Sequence, residues 1–337
     1  MADATPLRIH LYRPQNQLGD LLLNVPAVRL IRDRYPRAHV TLVAGRQNAA
    51  AVLDQPWADR VRVVDTRNFV GVLRGSMARG PRPDIAVYFT TVSYSRSGAF
   101  LARRSGAPLR IGFDPVRYAE RDRAGLTRAV AYPPGAPHQS EVSLALARAA
   151  IAAVAERGHA PAAGPEGAVP PPPYYVPDPA LLARGPAGAV YVHPGAGKLK
   201  NRWPADRFAA VVTALLSTGR DVLLIEGPQD AGTTAAVSAA SGRALPVVRG
   251  ETIPMLAARF ARAALYVGND TGPLHLAGAV GCPTVGIYGW SDPREWKPVG
   301  RCVRTVRAAD HSLESIPASD VLDAAIPLLT EESCATG

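Results

Sequence analysis

Short apolar runs alternate with amphipathic stretches over most of the chain. Leu7 to Tyr12 is a compact apolar run suited to a buried strand. Asp20 to Tyr35 follows, with apolar residues at Leu21, Leu22, Val25, Val28, Leu30 and Ile31. That spacing predicts a helix, which Pro36 stops. His39–Ala44, Arg62–Asp65 and Asp84–Phe89 read as further strands, with a helical stretch at Asn48–Asp54 and a longer helix at Glu141–Ala155. The tract 160–187 breaks this rhythm. It is rich in Ala, Gly and Pro, including Pro170 to Pro173, Pro177 and Pro179, and reads as a semi-rigid linker. A second series follows, with strands expected at Ala189–His193, Asp221–Ile225, Leu265–Val267 and Thr284–Tyr288. Its helices are expected at Ala205–Ser217, Ala231–Ser241, Met255–Ala263 and Gly272–Val280.

Strands alternating with helices predict an α/β protein with doubly wound parallel sheets. The expected organisation is a domain over 1–160, a linker over 161–187 and a second domain over 188–337, whose last helix can pack back on the first domain. Two α/β halves joined by a linker also predict a ligand cleft between them.

Composition narrows the class. A chain of 337 residues, 47% hydrophobic and 20% charged, has material for two cores and is not disordered. No window approaches the ~18 apolar residues of a spanning helix. Met1 to Pro14 lacks an apolar core followed by a small-residue cleavage site, so a cytoplasmic protein is expected. Cys282, Cys302 and Cys334 have no metal-ligand spacing and read as unpaired thiols. Charge is uneven: residues 1–130 hold 21 Arg and no Lys against 10 acids, whereas 131–337 hold 17 basic residues against 18 acids. The excess of the first part points to an anionic partner there, or simply to an arginine-biased gene composition. The arginines are scattered and carry no nucleic-acid motif, so nucleic acid is not an expected partner.

Three glycine-bearing turns fall where strands end. In Leu18-Gly19-Asp20-Leu21, Asp20 suits a helix cap or, in a cleft, a general base. His193-Pro194-Gly195-Ala196-Gly197 precedes Lys198, Lys200, Arg202 and Trp203-Pro204, a layout fit for a phosphate although it is not a P-loop. Val267 to His275 (VGNDTGPLH) is a turn in which Asp270 could cap the next helix and Thr271 and Gly272 could offer amides to a diphosphate, while His275 reads as structural or orienting. GxGxxG, HExxH and GxSxG are absent, which argues against an ordinary Rossmann dehydrogenase, a zinc hydrolase or a serine hydrolase. No metal and no cofactor are expected.

Taken in order, Leu18 to Pro36 (LGDLLLNVPAVRLIRDRYP), His193 to Phe208 (HPGAGKLKNRWPADRF) and Val267 to Pro293 (VGNDTGPLHLAGAVGCPTVGIYGWSDP) resemble the bacterial heptosyltransferases, glycosyltransferase family 9; His138 to Leu146 is a weaker match. The resemblance implies a GT-B fold of two Rossmann-like domains and an inverting, metal-independent transfer of heptose from an ADP-heptose-type donor. The acceptor it implies is an anionic glycan or glycolipid, foremost the lipopolysaccharide inner core, with peripheral contact at the inner membrane surface and a monomer or weak oligomer. By position it makes Asp20 the base and Lys200 and Arg202 the partners of departing ADP. His193, Gly195, Gly197, Lys198, Asp270, Thr271, Gly272, Pro273 and His275 then line the donor side. Gly227-Pro228-Gln229-Asp230 matches a turn whose carboxylate holds the ribose, with Glu226 as substitute, and Met255 falls near the adenine. Asn16, Gln17 and Gly19 fall on the acceptor side.

Two departures stand out. Asn201 replaces the lysine common before Trp-Pro, and Gln15-Asn16-Gln17 replace the small polar and basic residues before Gly-Asp. A soluble specialised-metabolite acceptor, a non-catalytic nucleotide-sugar-binding protein and a sugar-nucleotide epimerase are the competing readings.

Overall fold

A computed structural model describes residues 6–77, 80–89, 95–114, 125–135, 137–164, 169 and 171–330. The chain divides into two compact units, Met1–Pro171 and Pro172–Gly337. The first holds strands β1 (Arg8–Arg13), β2 (His39–Gly45), β3 (Arg60–Val64), β4 (Ile85–Tyr88), β5 (Leu109–Phe113) and β6 (Arg128–Val130). Its helices are α1 (Leu18–Arg34), α2 (Phe69–Met77), α3 (Arg96–Arg104) and α4 (Gln139–Ala155). All six strands are parallel, in the order β3-β2-β1-β4-β5-β6. Ile9 and Ile85 face α1 and α4, while Tyr12, Val43 and Val64 face Val72 of α2 and Leu101 of α3. Burial on both faces is why the central strands read as unbroken apolar runs.

The second unit repeats this plan. Its strands are β7 (Val190–His193), β8 (Val222–Glu226), β9 (Val247–Arg249), β10 (Leu265–Asn269), β11 (Thr284–Tyr288) and β12 (Val303–Arg307). They run parallel in the order β12-β11-β10-β7-β8-β9, which is the first unit's order read from the other edge. The helices are α5 (Ala205–Leu216), α6 (Ala231–Ala240), α7 (Ile253–Phe260), α8 (Gly272–Val280), α9 (Pro293–Trp296) and α10 (Ala318–Ala325). Phe208, Val212 and Val237 cover one sheet face, and Phe260 stacks edge-on against Tyr191 and Tyr266 on the other.

Several expectations change. The stretch 48–54 forms only a short 3-10 turn at Ala49–Ala51. The tract read as a linker is partly packed: Ala162 N–H donates to Arg34 at its start (2.8 Å), and the buried Tyr174 and Tyr175 donate to Ala279 O (2.7 and 3.0 Å) near its end. The last helix, α10, buries Val321 and Ala325 in the core of its own unit. Cys282 is a buried free thiol but Cys302 is disulfide-bonded, so the reading of unpaired thiols fails at Cys302, and Cys334 lies outside the described residues. Among the described residues no helix is long and apolar enough to cross a membrane.

Candidate functional site

In a sheet of this order, two neighbouring strands at the middle send their chains to opposite sides, opening a crevice at their C-terminal ends. In the first unit these are β1 and β4, and in the second β7 and β10. The chain leaving β1 is Pro14 to Asp20, the chain leaving β7 is Pro194 to Trp203, and the chain leaving β10 is Asp270 to His275. All three glycine-bearing turns therefore open at switch points.

In the first crevice the cap of α1 is Gln17, and Asp20 lies inside the first turn with no capping bond, so the cap reading of Asp20 fails. Asp20 instead pairs with Arg13, the last residue of β1, at 2.7 Å through Oδ2. Arg13 is nearly buried (5% of its side chain exposed) and Asp20 is more open (24%). Burial pushes the Arg13 guanidinium down and Asp20 opposes that shift. Asn24, one turn on, donates to the Asp20 backbone O, and Ser143 of α4 donates to Asn24 Oδ1 at 2.7 Å. A buried network thus fixes the turn that carries the carboxylate. Gln17 is exposed, Gly19 is half-buried within α1, and Asn16 Oδ1 lies 3.4 Å from Gln47 N.

The second crevice is braced by buried side chains. Asn269, fully buried at the end of β10, donates to Pro194 O (2.9 Å) and Gly195 O (3.2 Å) and accepts Trp203 N–H (3.1 Å). Asp230, 5% exposed, meets His193 Nε2 at 3.1 Å, Gly227 N–H at 3.0 Å and Arg202 at 3.4 Å. The His193 bond foremost holds its carboxyl below the usual range. A Cβ on Gly195 would sit 2.0 Å from the Asp230 carboxyl carbon, so this glycine is required for packing over Asp230. The expected ribose carboxylate is thus turned inward as a brace. Glu226 pairs with Arg249 at 3.2 Å and accepts from Thr234.

Arg202, expected beside the ADP, is also a brace. It donates to Ala196 O (2.9 Å), Thr233 Oγ1 (2.9 Å) and Gln229 O (3.1 Å) as well as to Asp230. Lys198 and Lys200 are exposed, and Lys200 Nζ lies 5.3 Å from the ring centre of the exposed Trp290. Thr271, and not Asp270, takes the cap position of α8. Its hydroxyl meets His193 Nδ1 at 3.2 Å, while Asp270 is held by Ser291 (2.6 Å) and lies 3.5 Å from His275 Nε2. Gly272 and Leu274 open α8 with N–H groups that no helical carbonyl can reach, and Pro273 between them has none. Such a terminus favours an anion. Met255 is half-buried in the first turn of α7.

Sequence reasoning did not single out Arg13, Asn269 or Trp290. Arg13 and Asn269 were legible only as polar residues closing otherwise apolar strands. Among the described residues no group of three or more His, Cys, Asp or Glu could hold a metal.

Two parallel sheets of order 3-2-1-4-5-6 in one chain match the two Rossmann-like halves of the GT-B fold found in solved heptosyltransferase structures. The model of glycosyltransferase family 9 (heptosyltransferase) matches residues 91–323, and the chain belongs to that family. The glycosyl transferase family 9 protein of Veillonella parvula has the same fold: 21% identity, 96% of this chain and 97% of that one, TM-score 0.80. So has E. coli heptosyltransferase WaaC, solved with ADP, at 18% identity, 96% and 100% coverage and a TM-score of 0.78. Lipopolysaccharide heptosyltransferase 3 of Escherichia coli is 29% identical over 165 residues, 44% of this chain and 48% of that protein. The chain thus spans about half the length of the curated relatives it matches.

Proposed function

We propose that the chain transfers a heptose from an ADP-activated donor to a hydroxyl of the lipopolysaccharide inner core, with inversion and without a metal. Asp20, oriented by Arg13, takes the proton as the acceptor oxygen attacks the anomeric carbon. The bond to the diphosphate breaks on the opposite face, and ADP leaves with the electron pair. Lys200 and the amides opening α8 neutralise the charge that develops on it. Arg202, His193 and Asp230 hold that turn in shape, and the ribose role passes from Asp230 to Glu226. Met255 packs by the adenine, and Asn16, Gln17 and Gly19 face the acceptor. The net positive first part of the chain suits an anionic acceptor at the cytoplasmic face of a membrane.

One observation carries this reading: all three motif turns that resemble the family open into switch-point crevices, where a doubly wound fold places its ligands. The test is ADP release, with the matching mass gain on the acceptor, using ADP-heptose and a heptose-deficient lipopolysaccharide core. Turnover is expected to survive EDTA. Transfer only to neutral soluble acceptors would replace the acceptor assignment. ADP binding without turnover on any acceptor would mark a binding protein.

A further inference from the structure

The first sheet has a second polar recess, at the opposite end of its strands from Asp20. Arg8 and His10 of β1, His39 and Thr41 of β2, and Arg60 and Arg62 of β3 line a cavity of about 40 Å³. One water needs about 10–15 Å³ by this measure, so the recess suits a single tetrahedral group and not a whole nucleotide. Its polar lining is three guanidiniums, two imidazoles and a hydroxyl, with no carboxylate, and Gly80 and Pro81 complete the wall.

Asp59 and Asp84 border the recess but do not line it. Asp59 pairs with Arg32 and accepts Val40 N–H at 2.7 Å, leaving His39 Nδ1 3.9 Å away. Asp84 accepts the backbone N–H of Arg8 at 2.8 Å. Among the described residues, the side chains of Arg8, Arg60 and Arg62 form no ion pair, and Arg62 Nε is buried with no hydrogen-bond partner. Like charges gathered around a part-buried recess repel one another. His10 registers the result: burial first, then Arg62, His39 and Arg60, push its pKa down to about 4. Its own strand adds only the Tyr12 hydroxyl, 3.4 Å from Nδ1.

We propose that this recess is an anion site that takes one phosphate group, held by the Arg8, Arg60 and Arg62 guanidiniums with the Thr41 hydroxyl beside them. Guanidinium forks match phosphate oxygens in pairs, and a bound dianion removes the repulsion among its hosts. The group is a free phosphate or the terminal phosphate of a lipid headgroup. The site lies at the far end of the sheet from the Asp20 crevice and stands apart from the proposed transfer reaction.

The test follows the His10 imidazole by NMR in the full chain at low ionic strength, titrated with inorganic phosphate and separately with vesicles containing phosphatidic acid. Saturable phosphate binding with an upward move of the His10 pKa is expected. Arg60→Gln/Arg62→Gln should weaken it at least tenfold, and Arg8→Gln, checked for an unchanged melting temperature, should weaken it too. Arg243→Gln, at an exposed arginine of the other unit, should not. A response to free phosphate alone assigns a soluble ligand, and the same response to vesicles, lost in the double variant, assigns a headgroup. Absence of a saturable His10 response to either probe, or unchanged binding in the double variant, overturns the proposal.

Discussion

The two units share one strand order and place their turns at equivalent crevices, yet they build those crevices differently. In the second, Asn269, Asp230, His193 and Arg202 are spent bonding the turns to one another, and the open edge is left to backbone amides and exposed lysines. In the first, one buried arginine aims one half-open carboxylate, and the neighbouring Gln17 is exposed. Topology decides where a ligand can sit; the split between bracing and presented side chains decides what each crevice can do. A diphosphate calls for a stiff array of donors. Proton abstraction calls for one oriented oxygen atom.

The largest effect should come from the presented carboxylate. Asp20→Ala is expected to lower transfer about 10²–10⁴-fold while ADP affinity, read by calorimetry, stays within about twofold. Equal loss of both would dissolve the contrast between the crevices. The brace Asp230 should behave the other way. Asp230→Ala leaves His193, Arg202 and Gly227 N–H without their partner, which should cost about 3–5 kcal/mol of stability by denaturant melting. Gly195→Ala should also destabilise, because its Cβ collides with the same carboxylate. A smaller change is expected at Lys200: replacement by Ala should weaken ADP binding about tenfold, roughly 1.4 kcal/mol, and leave the melting temperature unchanged. Loss of folding there instead would falsify its assignment as a presented charge.

An effect of similar size concerns pH. His10 has a folded pKa of about 4, below its ordinary value of 6.5, so the unfolded chain binds more protons between those limits. Stability is therefore full above about pH 6.5 and falls as pH drops toward 4. His10→Gln should flatten that slope by on the order of 1–2 kcal/mol, after allowing for solvent screening, in melts compared at pH 7 and 4.5.

Most central strands were readable because burial on both faces leaves unbroken apolar runs, and β11 and α8 match their expected bounds residue for residue; the central strand β5 was missed, its run broken by Arg110 and Gly112. The edge strands β6 and β9 escaped because three residues carrying an arginine give no period to detect, and β12 because arginine alternates through it. Helices α2 and α3 are also short, with few buried positions to set a pattern. The motif turns were legible as glycine and charge at strand ends. Their internal division of labour was not, since Arg202 and Lys200 are two residues apart and equally cationic as letters.

By itself, the sequence determined the two α/β halves, the turns between their strands and helices, and the uneven charge. These follow from local spacing and composition, which neighbouring residues carry whatever the fold. Tertiary structure alone decided that Asp230 and Arg202 brace while Asp20 and Lys200 are presented. It also gathered Arg8, Arg60 and Arg62 around one recess. Burial and pairing depend on residues far apart in the chain, and a carboxylate or guanidinium acquires its role from the partners that folding brings to it.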